Sequence, residues 1–285
     1  MNVELFSDSA CIVAEGPRWN GAERTLYWVD ITAGEVMRQR FDAPTNGFDR
    51  FAPGLGKIGA VEFAPNGRLL LFAERCEVYI SEFGGVPERK WTLSGHGDTR
   101  FNDVIDVGDG VFFCGVAPIR PSVRGELWRF DSRTGEFVCI ESETKGMPNG
   151  MGLSPDRKTL YFVVSDEQTL YAYDFDDVAK TVSNRRVVCR DFASPGVPDG
   201  MCVDPGDGSM YVAVWDGYRL EHRSSDGRLI ETTSFPMAKV TSACAVGDCI
   251  YVTTGNLPKS DSEHDATKAG GVFVLRKEKQ DYGAF

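Results

Sequence analysis

Histidine is scarce: three residues in 285, His96, His222 and His264, and none lies close to another. A histidine-built zinc site is therefore not expected. The eight cysteines (Cys11, Cys76, Cys114, Cys139, Cys189, Cys202, Cys244 and Cys249) include no Cys-x-x-Cys pair. Several fall in apolar segments, where a free thiol behaves as a small hydrophobe, so buried reduced thiols are expected. No apolar run approaches the roughly 18 residues of a membrane-crossing helix. The start, "MNVELFSDSACIVAEGP", lacks the basic and apolar stretches of a secretory signal, which makes a cytoplasmic location the expectation. Positive charge is short as well. A formal net charge of -11 argues against nucleic acid and anionic membrane surfaces as partners. There is no Gly-x-Ser-x-Gly elbow for a serine hydrolase. Amphipathic helical periodicity is hard to find anywhere.

What the chain does hold is repetition. "GMPNGMGLSPDRKTLYFVVSD", Gly146 to Asp166, has a near-twin in "GVPDGMCVDPGDGSMYVAVWD", Gly196 to Asp216. Short runs rich in aromatic and β-branched residues recur along the chain: "TLYWVD", "RLLLFAE", "GVFFCGV", "TLYFVVSD", "SMYVAVWD" and "CIYVTTGN". Each follows a turn of Gly, Pro, Asp or Asn, the pattern of strands rather than helices. Six residues head these units: Glu15, Gly59, Asn102, Asn149, Asp199 and Thr241. Six positions beyond each head stands a turn-forming Gly or Pro: Gly21, Pro65, Gly108, Pro155, Pro205 and Gly247. The heads are 42 to 50 residues apart. A period in that range, with several short strands per unit, specifies a β-propeller. The expected fold is all-β, a six-bladed β-propeller with four-stranded antiparallel blades, forming a single domain over residues 1–285.

In a propeller the innermost strand of each blade runs along the central axis. The six heads are therefore expected to ring one mouth of the channel. Four of them carry carboxylate or amide oxygens, and buried polar groups need a partner. Glu15, Asn149 and Asp199 offer only oxygen donors, the set preferred by hard divalent cations such as Ca²⁺, Mg²⁺ or Mn²⁺. The competing use is local: Asn and Asp at strand starts readily cap backbone NH groups. Four in register favour the metal. His96, in the Gly-rich stretch "GHGDTRFND", is expected to be solvated.

Four separated motifs then carry a family likeness. "AEGPRW" at Ala14–Trp19, "RFND" at Arg100–Asp103, "PNGMGLSPD" at Pro148–Asp156 and "PDGMCVD" at Pro198–Asp204 resemble the regucalcin/gluconolactonase family of sugar lactonases. "MYVAVWDG", "TSACAVG" and "AGGVFVL" extend the likeness over nearly the whole chain. The resemblance implies a hydrolase that opens a sugar lactone, a cyclic ester, to the aldonic acid. It implies one divalent metal ion, Ca²⁺ first, with Mg²⁺, Mn²⁺, Zn²⁺ or Fe²⁺ as alternatives. Glu15, Asn149 and Asp199 match the metal-binding positions, Asp199 also the proposed general base, and Arg100 and Asn102 the substrate contacts. For Arg100 a surface salt bridge to its neighbours Asp98 or Asp103 is the competing use.

One departure stands out. Where some members carry a sugar-contacting Glu, "CGVAPIRPSVRG" places Ile119 and Arg120. The expected partner is a small-molecule lactone, with the chain a monomer or small homo-oligomer. Two alternatives stay open: another metal-dependent ester or phosphotriester hydrolase on the same propeller, and a non-enzymatic calcium-binding propeller. "NLPKSDSEHDATKAGG", Asn256 to Gly271, is long for a hairpin and serves as either a lid or a connection.

Overall fold

The computed structural model describes residues 2–119, 124–144, 146–257 and 268–277. Among them there is no α-helix; twenty-four strands form six antiparallel sheets of four. Blade 1 consists of Ala14–Asn20, Thr25–Asp30, Glu35–Arg40 and Asp49–Phe51. The innermost strands of blades 2 to 6 are Ile58–Phe63, Thr99–Asp106, Pro148–Leu153, Val197–Val203 and Val240–Val246. Each inner strand touches the inner strands of both neighbouring blades, closing the ring. The expected six-bladed propeller is the observed fold.

The second strands explain the apolar runs seen in the sequence. Every residue of Thr25–Asp30 and of Leu69–Ala73 is buried, because each blade is covered on both faces by its neighbours. Alternation therefore vanishes and the run reads as continuously apolar. Burial falls away toward the rim, where Thr181–Cys189 is largely exposed.

Blade 6 is assembled from both ends of the chain. Val240–Val246, Cys249–Thr254 and Val272–Arg276 are followed, at the outer edge, by Val3–Ser7. The N-terminal strand pairs antiparallel with the last one, Val3 opposite Leu275 and Glu4 opposite Val274. That closure ties the ring together through backbone hydrogen bonds and removes the free seam.

The hydrophobic core is a ring of clusters between blades, not a central mass. Between blades 2 and 3, Phe72, Phe101, Phe112 and Phe130 are all fully buried. Phe72 meets Phe101 edge-on, with ring centroids 5.4 Å apart. Other clusters lie between blades 1 and 2, around Tyr27 and Leu71, and between blades 6 and 1, around Trp28 and Tyr251. This arrangement leaves the axis to polar residues. There the strands come very close: a Cβ on Gly59 would sit 2.0 Å from the carbonyl oxygen of Phe101. The head of blade 2 must therefore be glycine.

Phe72→Ala, by emptying the centre of the blade 2–3 cluster, should lower unfolding free energy by about 3–5 kcal/mol in urea denaturation. A loss below about 1 kcal/mol would show that the clusters between blades do not hold the ring.

Candidate functional site

Every inner ladder is interrupted at its head. The register shifts between Glu15 and Arg18, Ile58 and Ala60, Phe101 and Val104, Pro148 and Met151, Pro198 and Met201, and Val240 and Ser242. Such bulges re-aim a side chain while the rest of the strand stays paired. Four heads use this to reach one cavity of about 320 Å³: Glu15, Asn102, Asn149 and Asp199, with Arg100 beside them. All four heads are buried, Glu15 and Asp199 to 4% and 6% exposure.

A hydrogen-bond chain sets the orientation of these groups. Arg100 Nη1 donates to Asn102 Oδ1 (2.6 Å) and to the Phe101 carbonyl (3.0 Å). Asn102 Nδ2 donates to Asn149 Oδ1 (2.9 Å) and to the Pro148 carbonyl (2.8 Å). Asn149 Nδ2 donates to Ser165 Oγ (2.8 Å), whose hydroxyl donates to the Pro198 carbonyl (2.6 Å). The chain thus crosses blades 3, 4 and 5 and ends next to Asp199. Because each amide nitrogen has an acceptor, the orientation of both Asn side chains is assigned by the network.

The carboxylates are less well served. Burial pushes Glu15 well above the usual carboxylate range, and the charges of Asp199 and Asp103 push it further. The Gly16 NH, 2.7 Å from Glu15 Oε2, and Arg100 work against this. Asp199 is raised for the same first reason, burial, and then by Asp103; Arg100, the Gly200 NH and Asn149 oppose it. Asp103 is buried too, raised by burial, and its Oδ2 has no hydrogen-bond partner among the described residues. Burial also pulls the Arg100 guanidinium below its ordinary value.

The C-terminal halves of the inner strands line a second cavity, about 270 Å³, that includes Arg18, Glu62, Cys202 and Cys244. There Arg18 Nε pairs with Glu62 Oε1 at 2.6 Å.

Two buried carboxylates and an amide, all oxygen donors facing one space, make a set suited to a hard divalent cation. Among the described residues no three His, Cys, Asp or Glu side chains gather to hold an ion; Glu15, Asp199 and Asn149 are two carboxylates and one amide, in a cavity also lined by Asp166 and Asn102.

Three expectations need correction or completion. Thr241 does not line the cavity: its hydroxyl donates to the Ala14 carbonyl (2.6 Å) and bonds Thr253 Oγ1 (2.8 Å). Gly59 brings no side chain, so four heads rather than six supply groups to the mouth. His96 is not solvated: Nε2 is 2.8 Å from Glu126 Oε2, and the ring stands edge-on to Trp128. Arg100 lines the cavity and makes no surface pair with Asp98. The cysteines are all free; four are buried and Cys139 is exposed. Ile119 is exposed, whereas Arg120, His264 and most of the Asn256–Gly271 stretch lie outside the described residues.

Ser165, Asp166, Lys57 and Trp215 also line the cavity and were missed from the sequence. A signal existed for one of them. Asp30 ends the second strand of blade 1, and Asp166 and Asp216 stand in the turns just after the second strands of blades 4 and 5. Asp166 Oδ2 accepts from the Met147 NH (2.6 Å), and Asp30 accepts from the Ile12 and Val13 NH groups (2.6 and 3.2 Å). The aspartates pin the segments that enter the inner strands.

A closed six-bladed propeller with a polar, acidic axial pocket is the class these features define. Residues 13–256 match the model for the SMP-30/gluconolactonase/LRE-like region. The pentonolactonase XacC of Haloferax volcanii is 35% identical over 285 residues, covering 96% of this chain and 94% of that protein. The chain belongs to the SMP-30/gluconolactonase/LRE-like family. Regucalcin of Xenopus laevis is 28% identical, with 96% of this chain and 94% of regucalcin covered. A luciferin-regenerating enzyme has a similar structure, with a TM-score of 0.86 and 26% identity over 98% of this chain and 96% of that one.

A pH dependence follows from the raised carboxyls. A carboxyl whose folded pKa exceeds its unfolded one contributes stability below the unfolded value and loses it as pH climbs through the folded value. Protein stripped of divalent ions should therefore lose Tm from the ordinary carboxylate range upward, more than Asp199→Asn does over the same window. Equal slopes for the two proteins would contradict the buried-carboxylate account.

Proposed function

We propose that this chain is a divalent-metal-dependent hydrolase that opens a sugar lactone to the aldonic acid. The observation that carries the proposal is the convergence of Glu15, Asn149, Asp199, Arg100 and Asn102 on a single cavity. The relative named as a pentonolactonase, which aligns along nearly its whole length, supports the substrate class. The oxygen-only donor set of Glu15, Asn149 and Asp199 supports a place for a divalent ion.

Glu15, Asn149 and Asp199 would hold the ion. When bound, it supplies Lewis-acid polarisation of the ester carbonyl and offsets the charge of the developing oxyanion. The remaining work falls to the chain. Water adds to the carbonyl carbon while Asp199 accepts its proton. The ring C–O bond then breaks, and the departing alkoxide takes the proton held by Asp199 to become a hydroxyl, which restores the carboxylate. Asn102 and Arg100 hydrogen-bond the substrate oxygens and fix the carbonyl relative to Asp199. Arg100 has committed Nη1 to Asn102 and Phe101, which holds the guanidinium in one place. The fused chain of amides and Ser165 then keeps these groups from rearranging when water leaves the cavity.

The test is a panel of aldonolactones followed by acid release, with the spontaneous opening rate subtracted. Asp199→Asn should lower kcat by at least about 10³-fold. Arg100→Ala should mostly raise KM, by about tenfold or more. Chelation should abolish turnover, and adding back one cation should restore it. Full activity of both variants on every lactone would remove the mechanism. Activity confined to aryl esters or phosphotriesters would keep the site and change the substrate class.

A further inference from the structure

The cavity has two unlike walls. Blades 3 and 4 line it with Asn102, Asn149, Ser165 and Asp166: amides, a hydroxyl and a carboxylate. Blades 5 and 1 bring Asp199 and Glu15 from their inner-strand heads, and with them an apolar patch of Trp215, Val13 and Ile31. Val13 and Ile31 belong to one apolar cluster, and Trp215 packs on it. In the ring blade 5 is next to blade 4 and blade 1 stands across from blade 4, so the apolar patch adjoins the polar groups on one side and faces them on the other.

Trp215 is also held by a neighbouring blade. Lys239 Nζ lies 4.8 Å from the centroid of its ring, and the two residues form an isolated antiparallel bridge that joins blade 5 to the start of blade 6. The Lys239 side chain is only 7% exposed, and its ammonium is ion-paired with Asp216. A buried ammonium must keep its partners. The Asp216 carboxylate therefore fixes the ammonium, and the ammonium fixes the indole.

We propose that Trp215 is a stacking platform for the substrate ring, with the Lys239–Asp216 pair as its positioning residues; this rests on the lactone reading of the site. A sugar lactone has C–H groups carrying partial positive charge, which suit the electron-rich face of an indole, the strongest among the aromatic side chains. With a C–H face on Trp215, the hydroxyls point to the polar wall and the ring carbonyl is carried down toward Asp199. The contact orients the substrate only if the indole cannot turn, which is what Lys239 provides. The class of ligand it selects is a saturated, polyhydroxylated five- or six-membered ring with one exposed C–H face.

The test uses an aldonolactam, the hydrolysis-resistant amide analogue of the lactone, titrated calorimetrically into the protein alongside the lactonase assay. Trp215→Ala should weaken lactam binding about tenfold, and Trp215→Phe, which keeps an aromatic face, by no more than about threefold. Lys239→Met should fall between them and shift the indole emission, a change that a purely structural role elsewhere would not produce. In the assay, Trp215→Ala should raise KM with kcat within about threefold of wild type. Thermal melting of Trp215→Phe keeps the comparison valid if the alanine variant fails to fold. A wild-type protein that does not bind the lactam, or a Trp215→Ala variant that binds it as tightly, overturns the platform. Trp215-dependent lactam binding without any lactone turnover supports the platform and removes the lactonase reading alone.

Discussion

Two carboxylates, Glu15 and Asp199, are buried together on the axis of the ring, and the rest of the site follows from that constraint. Charge out of water is costly unless it is matched. The cationic groups near them are few. Arg100 acts on both, Lys57 lines the same cavity, and Arg18 is paired with Glu62. Asp103 adds a third carboxyl to the same column and leaves one oxygen unpartnered. Hydrogen bonds from Gly16 and Gly200 relieve only part of this cost. A divalent cation would relieve most of the remainder, and the donor set is of the kind that binds one.

The fold makes such a site affordable because its stability is generated elsewhere. Among the described residues six apolar clusters lie between blades and none on the axis. The axis can therefore carry polar and unfavourable groups without weakening the packing that holds the blades. The bulges at the six heads are the local device that makes this separation work. They break the ladder by one or two residues and turn side chains inward while the paired strand on either side stays intact.

The architecture and much of the site were legible in the sequence because both are periodic. One head per unit, with a turn six residues on, was enough to find Glu15, Asn102, Asn149 and Asp199. The same rule over-reached at Thr241, because a hydroxyl is small enough to be satisfied by the Ala14 carbonyl next door. It could not see the closing strand, since Val3–Ser7 pairs with a partner near the other end of the chain and carries no repeat of its own. His96 was misjudged for a similar reason. Glu126, its partner, lies 30 residues away, on the strand Gly125–Asp131. The Trp215–Lys239 contact joins two blades, so a ruler that works within one blade passes over it.

The most direct measurement is the stoichiometry of divalent-ion binding by elemental analysis after dialysis, on wild type and on Glu15→Gln and Asp199→Asn. The account predicts one tightly held ion per chain in the wild type, and its loss from both variants while their β-sheet content is retained. Wild-type protein that retains no ion from any of the candidate cations, or variants that retain it as well as wild type does, would contradict the central claim.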